Sequence, residues 1–216
     1  MRMFVLSGLV AFIASVSTAV AEMELSVYTG FQTAPHSTVS GDDDGTEFDF
    51  GAQWEGRSGQ APPYYGLRLT WWKNESWGYG VELNHAKVYA DDDTLDDSGF
   101  SNLEFTDGLN LLTVNGYRRW QDETRRWTPY VGAGIGLAIP HVDVQTPKGN
   151  ETFEYQITGP AVVWMGGVSY DFNERWAVFG EYKGSFSSNT ASLDGGGELK
   201  TDLITNALNI GLSYKF

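Results

Sequence analysis

Apolar residues fall at every second position in eight separate segments of this chain, and no apolar run approaches the 18 residues of a spanning helix. Period two is the strand period, because successive side chains point to opposite faces. Leu25, Val27 and Phe31 alternate with Ser26, Tyr28 and Gln32; Tyr65, Leu67, Leu69 and Trp71 alternate with Gly66, Arg68 and Thr70. The spacing predicts strands over 23–34, 61–72, 77–89, 104–120, 127–140, 155–172, 175–186 and 201–216. In 106–120 both faces are apolar around Leu111 and Leu112, which calls for a bulge somewhere in that strand.

The connections sort into two kinds and alternate strictly along the chain. Three are short, at 73–76, 121–126 and 173–174; four are long, at 35–60, 90–103, 141–154 and 187–200. Tight turns at one end and long loops at the other are the signature of an up-and-down barrel in an outer membrane. The fold class expected is therefore all-β, an eight-stranded antiparallel up-and-down transmembrane barrel. The last residues, NALNIGLSYKF, keep the alternation to Phe216, as a strand does when it closes the barrel against the first. Through this strand the barrel-assembly machinery is expected to insert the chain, as a monomer.

Tryptophan gives an independent check on this reading. Trp71, Trp72, Trp77, Trp120, Trp127 and Trp176 flank the three short turns, with Tyr117, Tyr130, Phe172, Tyr214 and Phe216 at similar height. Indole and phenol rings settle at the headgroup level, where one edge is wet and the other apolar. A soluble β-sandwich or lipocalin-like barrel would bury such rings instead.

Residues 1–21 have a positive start at Arg2, an apolar run from Met3 to Ala14 and a small-residue exit at Ala19-Val20-Ala21. That is the layout of a secretory signal, leaving 22–216 as one barrel domain. Cysteine is absent and the formal charge is −14, so the fold needs no disulfide and nucleic acid is not an expected partner. An eight-stranded barrel is only wide enough to be filled by side chains. Arg68, Glu82, Glu181 and Lys183 fall on the lumen face, where they are expected to pair as ions rather than line a pore.

The long connections hold 16 of the 28 acidic residues, densest in DDDG (42–45) and DDDTLDD (91–97). Neither run has EF-hand spacing, and most of these acids read as solvated, with bridging by divalent ions to lipopolysaccharide phosphates as the alternative. TEFDFGAQWEGR (46–57) alternates, which suggests a hairpin continuing the wall above the membrane.

The three histidines, His36, His85 and His141, each fall near the outer end of an upward strand. A tilted strand climbs ~2.5 Å per residue, so His85 lies about 20 Å above Trp77, among the outer-leaflet headgroups. Imidazole suits a divalent metal ion or proton transfer, with carboxylates at similar height. The candidate catalytic set is His36, His85, His141, Glu104 and Asp107; the candidate metal set is His36, His85, His141 and Asp143. Simple rim histidines without a shared site are the alternative. A serine hydrolase is less favoured: G-x-S-x-G is absent, and Ser37, beside His36, points to the opposite face.

Segments including MELSVYTGFQTAPHS, PPYYGLRLTWW, HAKVYADD, LEFTDGLNLLTVN, ETFEYQITGPAVVW and LDGGGELKTDLITNALNIG, spread over nearly all of 23–216, resemble the lipid A oxidase family of Gram-negative outer membranes. More generally, the chain is similar to small OmpA- and OmpX-type barrels. The first resemblance implies oxygen-dependent oxidation of the proximal glucosamine of lipid A to 2-aminogluconate, lipopolysaccharide of the outer leaflet as partner and a divalent-ion requirement. It carries no catalytic residues over. There is no flavin or nicotinamide fingerprint, because GAGIG (132–136) lies within a strand. The alternatives are a non-enzymatic surface barrel and a lipid A deacylase.

Overall fold

A chain with apolar residues on one strand face and polar residues on the other must put the apolar face against something greasy. In the computed structural model, which describes residues 22–216 apart from the side chains of Thr106 and Asp107, that face points outward. Val27, Phe31, Leu67, Val81, Val114, Ile135, Val168, Leu208 and Ile210 are all exposed, Phe31 at 75%. The expected leader, 1–21, lies outside the described residues.

The strands are β1 (Glu22–Asp43), β2 (Thr46–Glu55), β3 (Tyr65–Trp72), β4 (Trp77–Ala90), β5 (Asn102–Arg119), β6 (Trp127–Ala138), β7 (His141–Gln145), β8 (Glu151–Tyr155), β9 (Gly159–Asp171), β10 (Trp176–Ser192) and β11 (Gly197–Lys215). One short helix, α1 (Asp92–Ser98), joins β4 to β5. Eight strands form the ring β1-β3-β4-β5-β6-β9-β10-β11 through antiparallel neighbours. It closes where β11 meets β1, from Glu24 opposite Lys215 to Asp43 opposite Gly197. Phe216 is held there, its N–H donating to the carbonyl of Met23 (2.9 Å).

The periplasmic turns carry the aromatic ring, with Trp77, Trp120, Trp127, Phe172, Trp176 and Phe216 exposed. Trp72 is an exception to the expected girdle. It faces the lumen, with the Arg119 guanidinium 3.8 Å from its ring centroid and its Nε1–H donating to Glu24 (3.3 Å). Adjacent residues on one strand cannot share a face, so only one of Trp71 and Trp72 reaches the bilayer.

The long connections are not loops, and three of the four are largely strand. β1 runs on to Asp43 and turns into β2; β7 and β8 form a hairpin within 141–155; β10 and β11 continue to a turn at 193–196. β3 and β9 begin later than the alternation suggests, at Tyr65 and Gly159. The polarity of the wall inverts in this upper tier. Val39, Ala52, Val88, Leu103, Phe105, Val142, Val144, Leu199 and Leu203 point inward and form an apolar core, while their acidic neighbours face water. Helix α1, capped by Asp91 at its start and by left-handed Gly99 at its end, lays Phe100 against Phe48 and Phe50 (5.3 and 5.4 Å between centroids).

Side chains tie the tips of this tier together. Asp43, buried at the β1–β2 turn, accepts from Thr146 Oγ1 (2.5 Å) and Asn150 Nδ2 (2.9 Å), and Lys148 Nζ donates to its carbonyl (2.7 Å). Thr146, Lys148 and Asn150 belong to the β7–β8 turn. On the open side, the Gln156 amide bonds both backbone groups of Ser192 (2.8 and 2.9 Å), bridging toward β10. Asp43 is thus a clasp rather than a solvated acid of the DDDG run. Asp43→Ala is expected to destabilise the upper tier by about 1–3 kcal/mol, since it strands two buried donors. Faster limited proteolysis within 146–150, with an unchanged membrane-embedded fragment, would register the effect.

Candidate functional site

Two groups of polar side chains stand out, one inside the barrel and one on its outer wall. The inner group sits at mid-height. Arg68 Nε donates to Glu82 Oε2 (2.8 Å), and its terminal nitrogens donate to Glu181 (2.9 and 3.0 Å). Lys183 pairs with Glu82 and donates to the Tyr28 hydroxyl (3.0 Å). Tyr28 in turn donates to Glu82 (2.5 Å) and Tyr130 to Glu181 (2.8 Å). Two cations and two anions balance, and all four are essentially buried. Gly66 makes room for this arrangement, because a Cβ there would sit 1.9 Å from the Tyr28 ring. Below it, a vestibule of about 500 Å³ opens toward the periplasm between Glu24, Arg119, Asp171 and Lys215. Above it, the apolar core of the upper tier fills the bore.

The outer group is built by register. Tyr65, His85 and Asn110 lie side by side on β3, β4 and β5, on the face that also carries Leu83 and Leu112. The His85 ring stacks on Tyr65 (4.9 Å, 20° between planes), and its Nδ1 is 2.9 Å from Asn110 Oδ1. Four residues higher on β4, Tyr89 stands opposite Glu104 of β5, and Glu104 stands opposite Asp143 of β7. His141 shares the Asp143 face and packs edge-on against the exposed rings of Phe153 and Tyr155 (4.3 and 4.7 Å). The face that meets lipid lower down thus becomes polar at the rim.

The bulge in β5 lies here. Leu109 pairs with Ala86 and Phe105 with Val88, so Thr106, Asp107 and Gly108 together oppose Lys87 alone. Two residues are extra, and the apolar pattern resumes in phase beyond them. Gly108 takes a left-handed φ of +95°, and a Cβ there would lie 2.2 Å from His85 Nδ1.

The strand on the other side of Lys87 is missing as well, since β2 has ended and β3 has not begun. The Gln32 side chain substitutes for it: Lys87 N–H donates to Gln32 Oε1 and Gln32 Nε2 to the Lys87 carbonyl, both at 2.8 Å. Lys87 itself is 0% exposed.

Of the candidates from sequence, His85, His141, Glu104 and Asp143 fall on this one sector of outer wall. The Asp107 backbone lies in the bulge at its centre, and its side chain lies outside the described residues. His36 stands apart. It is exposed on β1 in the irregular stretch between Thr33 and Val39, with β2 and β3 between it and β4. Ser37 turns inward, bonded to Thr201 Oγ1 and Trp54 Nε1 (both 2.8 Å). Among the described residues, no three His, Asp or Glu side chains are grouped to hold a metal ion. His85 and His141 are nevertheless 3% and 5% exposed, and His85 Nε2 and His141 Nδ1 have no hydrogen-bond partner. Sequence reasoning missed Lys87, Asn110 and Gln32. Only the register shows that they share this place.

An eight-strand ring that is apolar outside, ion-paired inside and girdled by aromatic residues is a barrel that spans a bacterial outer membrane. The comparisons agree. Residues 4–216 match the outer membrane protein beta-barrel domain, and the chain belongs to that family. Its fold is similar to the outer membrane protein OprG of Pseudomonas aeruginosa, at 16% identity over 91% of this chain and 96% of that one, with a TM-score of 0.60. It is also similar to Neisserial surface protein A, at 12% identity over 90% and 97%, with a TM-score of 0.51. No curated protein matches it by sequence. The protein resides in the outer membrane, among its lipids.

Proposed function

We propose that this barrel acts on lipid A from the side, with the His85–His141 sector as the site and oxidation of the proximal glucosamine as the reaction. One observation carries the reading: two buried histidines on the lipid-facing wall, at headgroup height, each keep a ring nitrogen without a partner. Such a nitrogen can take a proton from a sugar hydroxyl brought up by lateral diffusion. Asn110 and Tyr65 fix the orientation of His85, while Phe153 and Tyr155 offer apolar cover beside His141.

The stoichiometry closes with dioxygen as the oxidant. The C1 lactol loses two electrons and two protons to give a lactone and hydrogen peroxide, and water then opens the lactone to 2-aminogluconate. The sugar gains one oxygen atom in total. Imidazole nitrogens are suitable donors for the divalent ion that the resemblance implies. No third described donor joins them, so no step is routed through a metal. In this reading the chain works as a monomer, inserted by the barrel-assembly machinery through β11.

A non-enzymatic surface barrel is the second reading, favoured by the clasped mouth and filled bore. Deacylation is disfavoured by the interior position of the Ser37 hydroxyl. Mass spectrometry of lipid A from cells with and without the gene separates the three: a gain of one oxygen, no change, or loss of an acyl chain. His85→Ala is expected to cut the oxidised product about 100-fold or more, with the heat-modifiable gel mobility of a folded barrel retained. Full oxidation by a folded His85→Ala barrel removes this histidine from the reaction, and activity that survives exhaustive EDTA treatment removes the metal.

A further inference from the structure

We infer that Lys87 is the seat of an anionic group on the lipid headgroup, a phosphomonoester or a carboxylate, and that residues 56–64 form a cover displaced when that group binds. The inference rests on the lateral-site reading above but not on oxidation. The Lys87 side chain points outward between those of His85 and Tyr89. Its ammonium donates to the main-chain carbonyls of Gln60 (2.9 Å) and Pro62 (2.7 Å), both in the connection from β2 to β3. Residues 59–63 of that connection are exposed and belong to no strand. A buried cation is thus partly satisfied by neutral carbonyls of an exposed segment. An ionised oxygen forms hydrogen bonds roughly twice as strong and can take their place.

The lysine would remain where it is when the cover lifts. Its backbone is held by the Gln32 amide rather than by residues 59–63. The cover is hinged at Ser58, whose hydroxyl accepts from Gln32 N–H (2.9 Å) and donates to the Gln32 carbonyl (3.3 Å). A second cation stands at the same place: Arg57 lies 4.7 Å from the Tyr89 ring centroid and Lys87 Nζ lies 5.2 Å from it. Basic residues are scarce in this acidic chain, with 14 Lys and Arg against 28 acids. The facing carboxylates are Glu55, paired with Arg57, and Glu104 and Asp143 on the β5 side. They confine an anion to the Lys87–Arg57 side of Tyr89. The free nitrogens of His85 and His141 show independently that the sector is built for a polar ligand.

The test is binding to the full barrel in phosphatidylcholine nanodiscs. The probes are lipid A with a single phosphomonoester and the same lipid after phosphatase treatment, read by native mass spectrometry. The phosphorylated lipid is expected to bind about tenfold or more tightly. Lys87→Gln should erase that preference, Lys87→Arg should retain much of it, and Arg57→Gln, at an exposed position, should weaken it in a barrel whose folding is not at risk. Competition by millimolar inorganic phosphate would place recognition in the anion alone; failure to compete would show that the lipid body is also required. Either supports the seat if the preference depends on Lys87. Equal affinity of the wild type for the two lipids, or full discrimination by folded Lys87→Gln, overturns the inference. A barrel that prefers the phosphorylated lipid yet leaves its mass unchanged would defeat the oxidase reading and leave this one standing.

Discussion

Replacing Arg68 with methionine is expected to lower the unfolding free energy by about 3–5 kcal/mol, the cost of leaving a buried charge without its partner. Arg68 is the only basic side chain that meets Glu181 among the described ion pairs; Lys183 serves Glu82. After the substitution, Glu82 keeps its lysine, and Glu181 keeps only the Tyr130 hydroxyl and Asn209 Nδ2 (3.3 Å). Urea unfolding in lipid vesicles, followed by tryptophan fluorescence, measures the loss. Adding Glu181→Gln to Arg68→Met should recover most of it, because the stranded charge is then gone. A loss below about 1 kcal/mol would show that water from the periplasmic vestibule reaches Glu181 and solvates it, since Arg68 also lines that vestibule.

The second large effect belongs to Gly108. Gly108→Ala introduces a methyl that would lie 2.2 Å from His85 Nδ1 and 2.4 Å from Cε1, at a φ that side chains resist. The ring cannot slide away without leaving Asn110 and Tyr65. The variant should therefore lose about 1–3 kcal/mol of stability and become as inactive toward lipid A as His85→Ala. Reaction with diethyl pyrocarbonate supplies a readout that does not depend on catalysis. His85 is shielded in the wild type and should become reactive in Gly108→Ala. Unchanged protection would mean that the bulge, rather than the ring, has moved.

Much of the wall was legible from alternation alone, because hydrocarbon outside and water or ions inside impose the same two-residue rhythm on every strand. The ring, the short turns at 73–76, 121–126 and 173–174, and the pairing of the first strand with the last all follow from it. Above the membrane the rhythm persists with its sense reversed. HVDVQ, TFEY and GELKTDL put acids outward and Val142, Val144, Leu199 and Leu203 inward, so hydrophilic strands passed for loops. The bulge was signalled by the clash of registers near Leu111, but only the left-handed Gly108 locates it. Lys87 and Gln32 carried no local signal. Their meeting depends on two strand ends falling short at one level, which is a property of register rather than of residue type.

The reversal of sidedness along β11 has a consequence for where the protein can live. From Ile204 to Tyr214 the strand offers its greasy side to hydrocarbon, a climb of about 25 Å at the usual tilt. Directly above, Lys200 and Asp202 face outward. The chain therefore carries its own gauge of bilayer depth, set below the common ~30 Å, and is matched to a thin membrane in which neither charge is drawn into the oil.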